Sequence, residues 1–173
     1  MKKNKISKNW INRQKRDIFV RKSKIEGYRS RAVYKLIEID KKFKILRNGI
    51  SLLDLGAAPG SWSQYASKNV KNGKIVAIDL KDMKNIDNVF QIKGDFTKAK
   101  DQKIISQCFA KKIDLVLSDM AENTTGNKSV DSILTGELCK EALYFAKNIL
   151  NSKGIFVSKI FMGLSFNEII HES

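Results

Sequence analysis

The chain has 173 residues, a mass of 19.7 kDa and a formal net charge of +15. That length suits one domain, and the 42% hydrophobic fraction with only one Pro and ten Gly excludes a disordered or fibrous chain. No apolar run is long enough for a membrane span, the start MKKNKISKNW lacks the apolar stretch of a secretory signal, and the isolated Cys108 and Cys139 form neither a disulfide framework nor a four-ligand zinc site, which fits a reducing cytoplasm.

The charge is collected at one end. Residues 1–50 carry 17 of the 33 Lys and Arg against Asp17, Glu26, Glu38 and Asp40, and every Arg lies there, from Arg13 to Arg47. Genomic base composition explains abundant Lys but not this asymmetry. A polyanion partner does, because Lys and Arg contacts to phosphate supply affinity without sequence choice. An anionic membrane surface is the competing partner. It asks for a helix with a wide apolar face, and Ile6, Trp10, Ile11, Ile18 and Phe19 are too scattered to build one.

In chain order, residues 1–8 read as a basic tail and Asn9 to about Lys24 as a short helix, interrupted at Gly27-Tyr28-Arg29-Ser30. Ser30 is a suitable N-cap for a helix over about 31–44, with Val33, Leu36, Ile37 and Phe43 facing inward. After Asn48-Gly49 the pattern becomes an alternation. Strands are predicted at Ile50–Leu55, Lys74–Asp79, Val89–Ile92, Ile113–Ser118 and Gly154–Phe161. Helices are predicted at Gly60–Asn69, Lys98–Ala110 and Val130–Leu150, the last with Val130, Leu134, Leu138, Ala142, Phe145, Ala146 and Ile149 on one face, and another starts at Phe166. This alternation predicts an α/β fold with a mostly parallel sheet and helices on both faces. The charge asymmetry divides the chain into a basic helical N-terminal segment, 1–48, suited to a polyanion, and an α/β domain, 49–173.

The turn Leu55-Gly56-Ala57-Ala58-Pro59-Gly60-Ser61-Trp62 joins the first strand to the next helix. Small residues let a backbone approach a ligand, the helix N-terminus offers free N–H groups, and ligands of open α/β sheets bind at the carboxyl ends of the strands. It is neither a GxGxxG fingerprint nor a P-loop, and such a turn can be purely structural. Asp79, ending the second strand, can take ribose hydroxyls; Asp95, after the third, can accept from an adenine amino group. Together they describe a nucleoside pocket, although either acid alone is more often a cap or a solvated loop residue.

LDLGAAPGSWSQY, with the upstream SRAVYKLIEID, SDMAEN after the fourth strand and VSKIF on the fifth, resembles the FtsJ-type ribosomal RNA ribose 2′-O-methyltransferases over about Trp10 to Glu168. The resemblance implies a Rossmann-like fold that binds S-adenosyl-L-methionine. It implies that Gly60 and Trp62 contact the methionine side of the cofactor, Asp79 the ribose and Asp95 the adenine, with Asp119 beside the reactive end. It also implies a catalytic Lys-Asp-Lys-Glu tetrad, whose first three members map onto Lys35, Asp119 and Lys159. The sulfonium is already a good methyl donor, so alignment and removal of the acceptor proton remain for the enzyme. A lysine can accept that proton only when neutral; desolvation and a second cation lower its pKa. Lys159 is thus the expected general base, Lys35 the neighbouring cation and Asp119 the group orienting the amine. Without the resemblance, Lys159 reads equally as a strand-end lysine reaching for water and Lys35 as part of a solvated helix face.

Two departures accompany the resemblance. Glu122 stands where the family usually has Pro, placing a negative charge where RNA should approach. The family's last two strands and the tetrad's Glu have no counterpart before Ser173, and neither Glu168 nor Glu172 takes that role. Gly154–Phe161 is therefore expected to be an apolar open edge, and the isolated chain to be marginally stable, prone to pairing with other chains and weakly active. The expected function is methylation of a uridine ribose in large-subunit ribosomal RNA by a cytoplasmic monomer. The alternatives are a transfer RNA ribose methyltransferase of the same family and a non-catalytic RNA-binding or ribosome assembly protein.

Overall fold

A computed structural model describes residues 17–120, 127–161 and 164–172. The basic tail, the start of the first predicted helix and Glu122 lie outside the described residues.

The strands are β1 (Ser51–Leu55), β2 (Lys74–Asp79), β3 (Val89–Lys93), β4 (Ile113–Ser118) and β5 (Leu150–Ser158). They form one sheet of order β3-β2-β1-β4-β5, with all four pairings parallel. The helices are α1 (Ile18–Ile25), α2 (Val33–Phe43), α3 (Ser61–Asn69), α4 (Ala99–Gln107), α5 (Lys128–Ile149) and α6 (Leu164–Glu172). This is the parallel α/β sheet that the alternating pattern predicts, in the Rossmann-like form that the resemblance implies.

Period-two geometry sends successive side chains of the central strands to opposite faces, and both faces are covered, so these strands read as nearly unbroken apolar runs. Leu52, Ala77, Leu115 and Leu117 pack on one face with Leu36 of α2 and Trp62 and Ala66 of α3. Leu53, Leu55, Val76 and Val116 pack on the other with Ile105 of α4 and Ala142, Phe145 and Ala146 of α5. α2 belongs to the same core as the strands, so the boundary at residue 48 is a boundary of charge rather than of packing.

Several local expectations are revised. Phe43 is exposed rather than inward, because Lys44 adopts a left-handed conformation (φ 53°) and ends α2 immediately after it. Ser30 does not cap the helix. Ala32 occupies the cap position, while the Ser30 hydroxyl accepts from the Ala32 N–H and meets the Ser61 hydroxyl at 2.7 Å. Val130 and Leu134 are exposed, and the described apolar side chains of α5 in the sheet core run from Leu138 to Ile149. β5 begins at Leu150, which pairs with Ile113; a register shift follows before Leu115 meets Ile155. Asn151 stabilises that irregular start by donating to Asp114 and accepting the Lys153 N–H. Leu150, predicted to end the helix, thus opens β5, and residues 151–153, predicted to lie between helix and strand, are already sheet.

At the N-terminal side, Asp17 caps α1 by accepting the Phe19 and Val20 N–H groups and pairs with Arg31. Phe19 rests against the ring of Tyr34, 5.4 Å between centroids. Lys140 of α5 binds Glu168 of α6 at 2.7 Å. None of the described helices is long and apolar enough to cross a membrane.

Candidate active site

β1, β2, β3 and β4 end at one edge of the sheet, and the residues that follow them converge there. A cavity of about 380 Å³ is lined by Gly56 and Ala58 of the Gly-rich turn, Asp79, Asp95, Phe96 and Asp119, among others. Three acids at the ends of three different strands thus share one space.

Asp79 accepts the Ala58 N–H at 2.8 Å and the Lys81 N–H at 2.7 Å, tying the Gly-rich turn to the end of β2. Asp95 accepts both the hydroxyl and the N–H of Thr97, 2.7 and 3.0 Å, and the Thr97 hydroxyl is the main reason its carboxyl is held below the usual carboxylate range. Asp101, buried at the start of α4, fixes the same loop by accepting the Asp95 N–H at 2.9 Å. Gly56 is in the left-handed region (φ 65°) and a Cβ there would lie 2.0 Å from Met120 Cγ, so the turn and the Met120 side chain are in direct contact across the cavity mouth. Gly60 has φ 100° and a Cβ would lie 2.8 Å from both Arg29 Nη1 and Ile86 Cδ1. No side chain larger than hydrogen fits that corner.

Asp119 is the meeting point of two lysines. Lys35 Nζ donates to its two carboxylate oxygens at 2.8 and 3.0 Å. Lys159 Nζ lies 3.3 Å from Oδ1 and donates to the Asp119 carbonyl at 3.2 Å. Lys35 is about half exposed (51%), whereas Lys159 is largely covered (22%) and sits 5.5 Å from the centre of the Phe161 ring. Desolvation lowers the Lys159 pKa from its ordinary value; Asp119 opposes the shift and Lys35 adds to it. Register explains the meeting. Ser118 is paired with Ser158, so the residue after each strand falls beside the other, and the Lys159 N–H donates to the Ser118 carbonyl at 2.8 Å.

Not every candidate residue lies on the cavity. The Trp62 side chain is 4% exposed, packs in the core and donates its indole N–H to the Ala32 carbonyl at 2.8 Å. Gly60 shapes the turn from behind rather than lining the cavity.

Sequence reasoning passed over Asp54. It is 1% exposed in β1 and accepts the Ser63 hydroxyl at 2.6 Å. Burial, helped by the charges of Asp119 and Asp79, raises its carboxyl to about 7 against the opposing Ser63 hydrogen bonds. An acid within the apolar run Leu52-Leu53-Asp54-Leu55 is itself the signal that could have found it.

The profile of the FtsJ-like methyltransferases matches residues 28–173. A Pelagibacter ubique protein named ribosomal RNA large subunit methyltransferase E is 63% identical over 170 residues, covering 98% of this chain and 84% of that protein. The protein of the same name from Rickettsia conorii is 44% identical over 172 residues, covering 96% and 76%. A crystal structure of a ribosomal RNA methyltransferase from Plasmodium falciparum superposes with a TM-score of 0.77 at 36% identity, over 84% of this chain and 85% of that one. With its parallel sheet, its strand-end acids and these likenesses along nearly its whole length, the chain belongs to the FtsJ-like methyltransferase family.

Proposed function

We propose that the protein methylates a ribose 2′-hydroxyl of a uridine in large-subunit ribosomal RNA, with S-adenosyl-L-methionine as donor and Lys159 as general base, acting as a cytoplasmic monomer. The observation that carries this reading is the Lys35–Asp119–Lys159 cluster bordering a cavity lined by Asp79 and Asp95. The names of the relatives favour ribosomal over transfer RNA.

The cavity's donor set fits the cofactor. Carboxylates suit ribose hydroxyls and an adenine amino group, Phe96 and Met120 offer apolar contact, and Asp119 offers negative charge to a cation. Asp79 and Asp95 would hold the nucleoside and Asp119 the methionine side; the Gly60 N–H is donated to the Ala57 carbonyl at 2.6 Å and the Trp62 indole to Ala32, so these two residues would act by holding the shape of the turn. When bound, S-adenosyl-L-methionine supplies an electrophilic methyl group. Neutral Lys159 would take the acceptor hydroxyl's proton and become an ammonium, while the methyl group would leave its sulfur for that oxygen, with S-adenosyl-L-homocysteine as the leaving group. Asp119 holds the Lys159 amine in place, and Lys35 presents a half-exposed cation where a phosphate of the acceptor strand can approach. Exposed cations of α1 and α2, among them Arg21, Lys24, Lys41 and Lys42, extend that positive surface.

The test is transfer of labelled methyl from S-adenosyl-L-methionine to large ribosomal subunits from cells lacking the modification, followed by mapping of the product nucleotide. Label at a uridine 2′-oxygen supports the reading. Label only in transfer RNA would redirect it, and tight RNA binding without transfer would leave a binding protein.

A further inference from the structure

We propose that Arg29 is a positioning residue that couples the cofactor cavity to the segment carrying Lys35. The inference rests on the cofactor reading above. Half-buried Arg29 is spent on backbone carbonyls of the chain itself. Its Nη1 donates to the Pro59 carbonyl at 3.0 Å and the Lys84 carbonyl at 2.8 Å, and its Nη2 to the Asn85 carbonyl at 2.8 Å. None of the described ion pairs involves it. Pro59 belongs to the Gly-rich turn; Lys84 and Asn85 belong to the loop that leaves β2 after Asp79 and whose first residues, Leu80 and Lys81, line the cavity.

The rest of the 27–32 turn is fastened to the same place. The Arg29 N–H donates to Gln64 at 3.0 Å, and Gln64 donates back to the Gly27 carbonyl at 3.2 Å. Ser30 meets Ser61 at 2.7 Å, and Trp62 donates to Ala32. This turn leads directly into α2 and Lys35. A guanidinium can serve three diverging carbonyls because its donors are fixed in a planar fork, whereas a lysine ammonium is a compact point charge. A ligand that orders the two cavity loops therefore orders the Lys35 segment as well. By linkage, RNA held by that segment must strengthen cofactor binding by the same factor.

The experiment compares the full chain with Arg29→Lys, which keeps the charge. Calorimetry with S-adenosyl-L-homocysteine as probe is done with and without an unmethylated large-subunit ribosomal RNA transcript. In the parent, each ligand should tighten the other by roughly five-fold or more. In Arg29→Lys the probe should bind about ten-fold more weakly and the mutual enhancement should fall to about one, while the salt dependence of RNA binding stays unchanged. Unchanged probe affinity and enhancement with weaker RNA binding would make Arg29 a phosphate contact; a lower melting temperature alone would make it merely structural. Either result overturns the proposal. Should Arg29→Lys fail to fold, Ser30→Ala, which removes the link to Ser61 and the acceptor for the Ala32 N–H, should reduce the enhancement in the same direction, and an unchanged enhancement overturns the proposal. A parent that binds no probe overturns the cofactor reading and the coupling with it, whereas a parent that binds the probe without enhancement overturns the coupling alone.

Discussion

Lys35 Nζ lies 2.8 Å from Asp119 Oδ1 across 84 positions of sequence. The bond joins α2, in the basic part of the chain, to the end of β4. It also leaves Lys159, the third member, with a cation nearby and a shared counter-ion. Burial, and to a lesser degree Lys35, pushes the Lys159 pKa down while Asp119 pushes it up, so the neutral form is a balance that each neighbour shifts.

Removing Lys159 should abolish proton removal and spare the cavity. Lys159→Ala is expected to lower methyl transfer by about 10²-fold or more. Its affinity for S-adenosyl-L-homocysteine should stay within a few-fold of the parent. Transfer rates close to those of the parent would exclude Lys159 as the base.

The pH profile should report the same balance. The base must be neutral, so transfer should rise with pH and level off above the lowered Lys159 pKa. Lys35→Ala removes a charge that lowers that pKa, so the rising limb should move to higher pH. A limb that stays in place, or moves to lower pH, would mean that the titrating group is not Lys159.

Asp54 should make folding stability fall as pH rises. Its carboxyl is raised in the folded protein from 3.8 to about 7, so the native state keeps a proton that the unfolded chain releases. The protonated form's stability is complete below pH 3.8, declines between the two values and is lost above about 7. At ~1.4 kcal/mol for each tenfold change in proton affinity, the upper bound is about 4 kcal/mol. Asp54→Asn keeps an acceptor for Ser63 and carries no charge, so it should be more stable than the parent at pH 8 and similar at pH 4. Urea unfolding at several pH values checks this, and a constant difference between the two proteins would refute it.

Asp79 should matter twice, once to the cofactor and once to the turn. Asp79→Ala removes the acceptor for the Ala58 and Lys81 N–H groups as well as the carboxylate facing the cavity. Calorimetry should show S-adenosyl-L-homocysteine binding weakened by roughly ten-fold or more, about the loss of one charged hydrogen bond. Unchanged affinity in folded protein would remove Asp79 from the site.

RNA affinity should fall steeply with salt. If about six phosphates are neutralised, log K should fall against log salt with a slope of roughly −5. Deleting residues 1–16, which hold seven Lys and Arg, should flatten it. An unaltered slope would place the RNA surface elsewhere.

The strands and most helices are determined by local pattern, which the sequence displays directly. Lys74–Asp79 and Ile113–Ser118 are strands with the bounds their apolar runs predict, because both faces of a central parallel strand are buried. Asp79 and Asp95 could be singled out because each lies at a strand's end, where such sheets bind ligands, whereas Asp119 came from the family resemblance. What pattern alone could not decide is where long-range packing outweighs local preference. Phe43 and Val130 have the spacing of core residues but face water, since exposure depends on whether another element covers them. Trp62 sits in the motif yet turns its ring into the core, and Arg29 counts as a basic surface residue yet is held by three carbonyls. The meeting of Lys35 and Lys159 on Asp119 depends on the β4–β5 register and on the seating of α2 against the sheet. Those distances arise only when the chain is closed on itself, because they join residues with no local interaction to signal the contact.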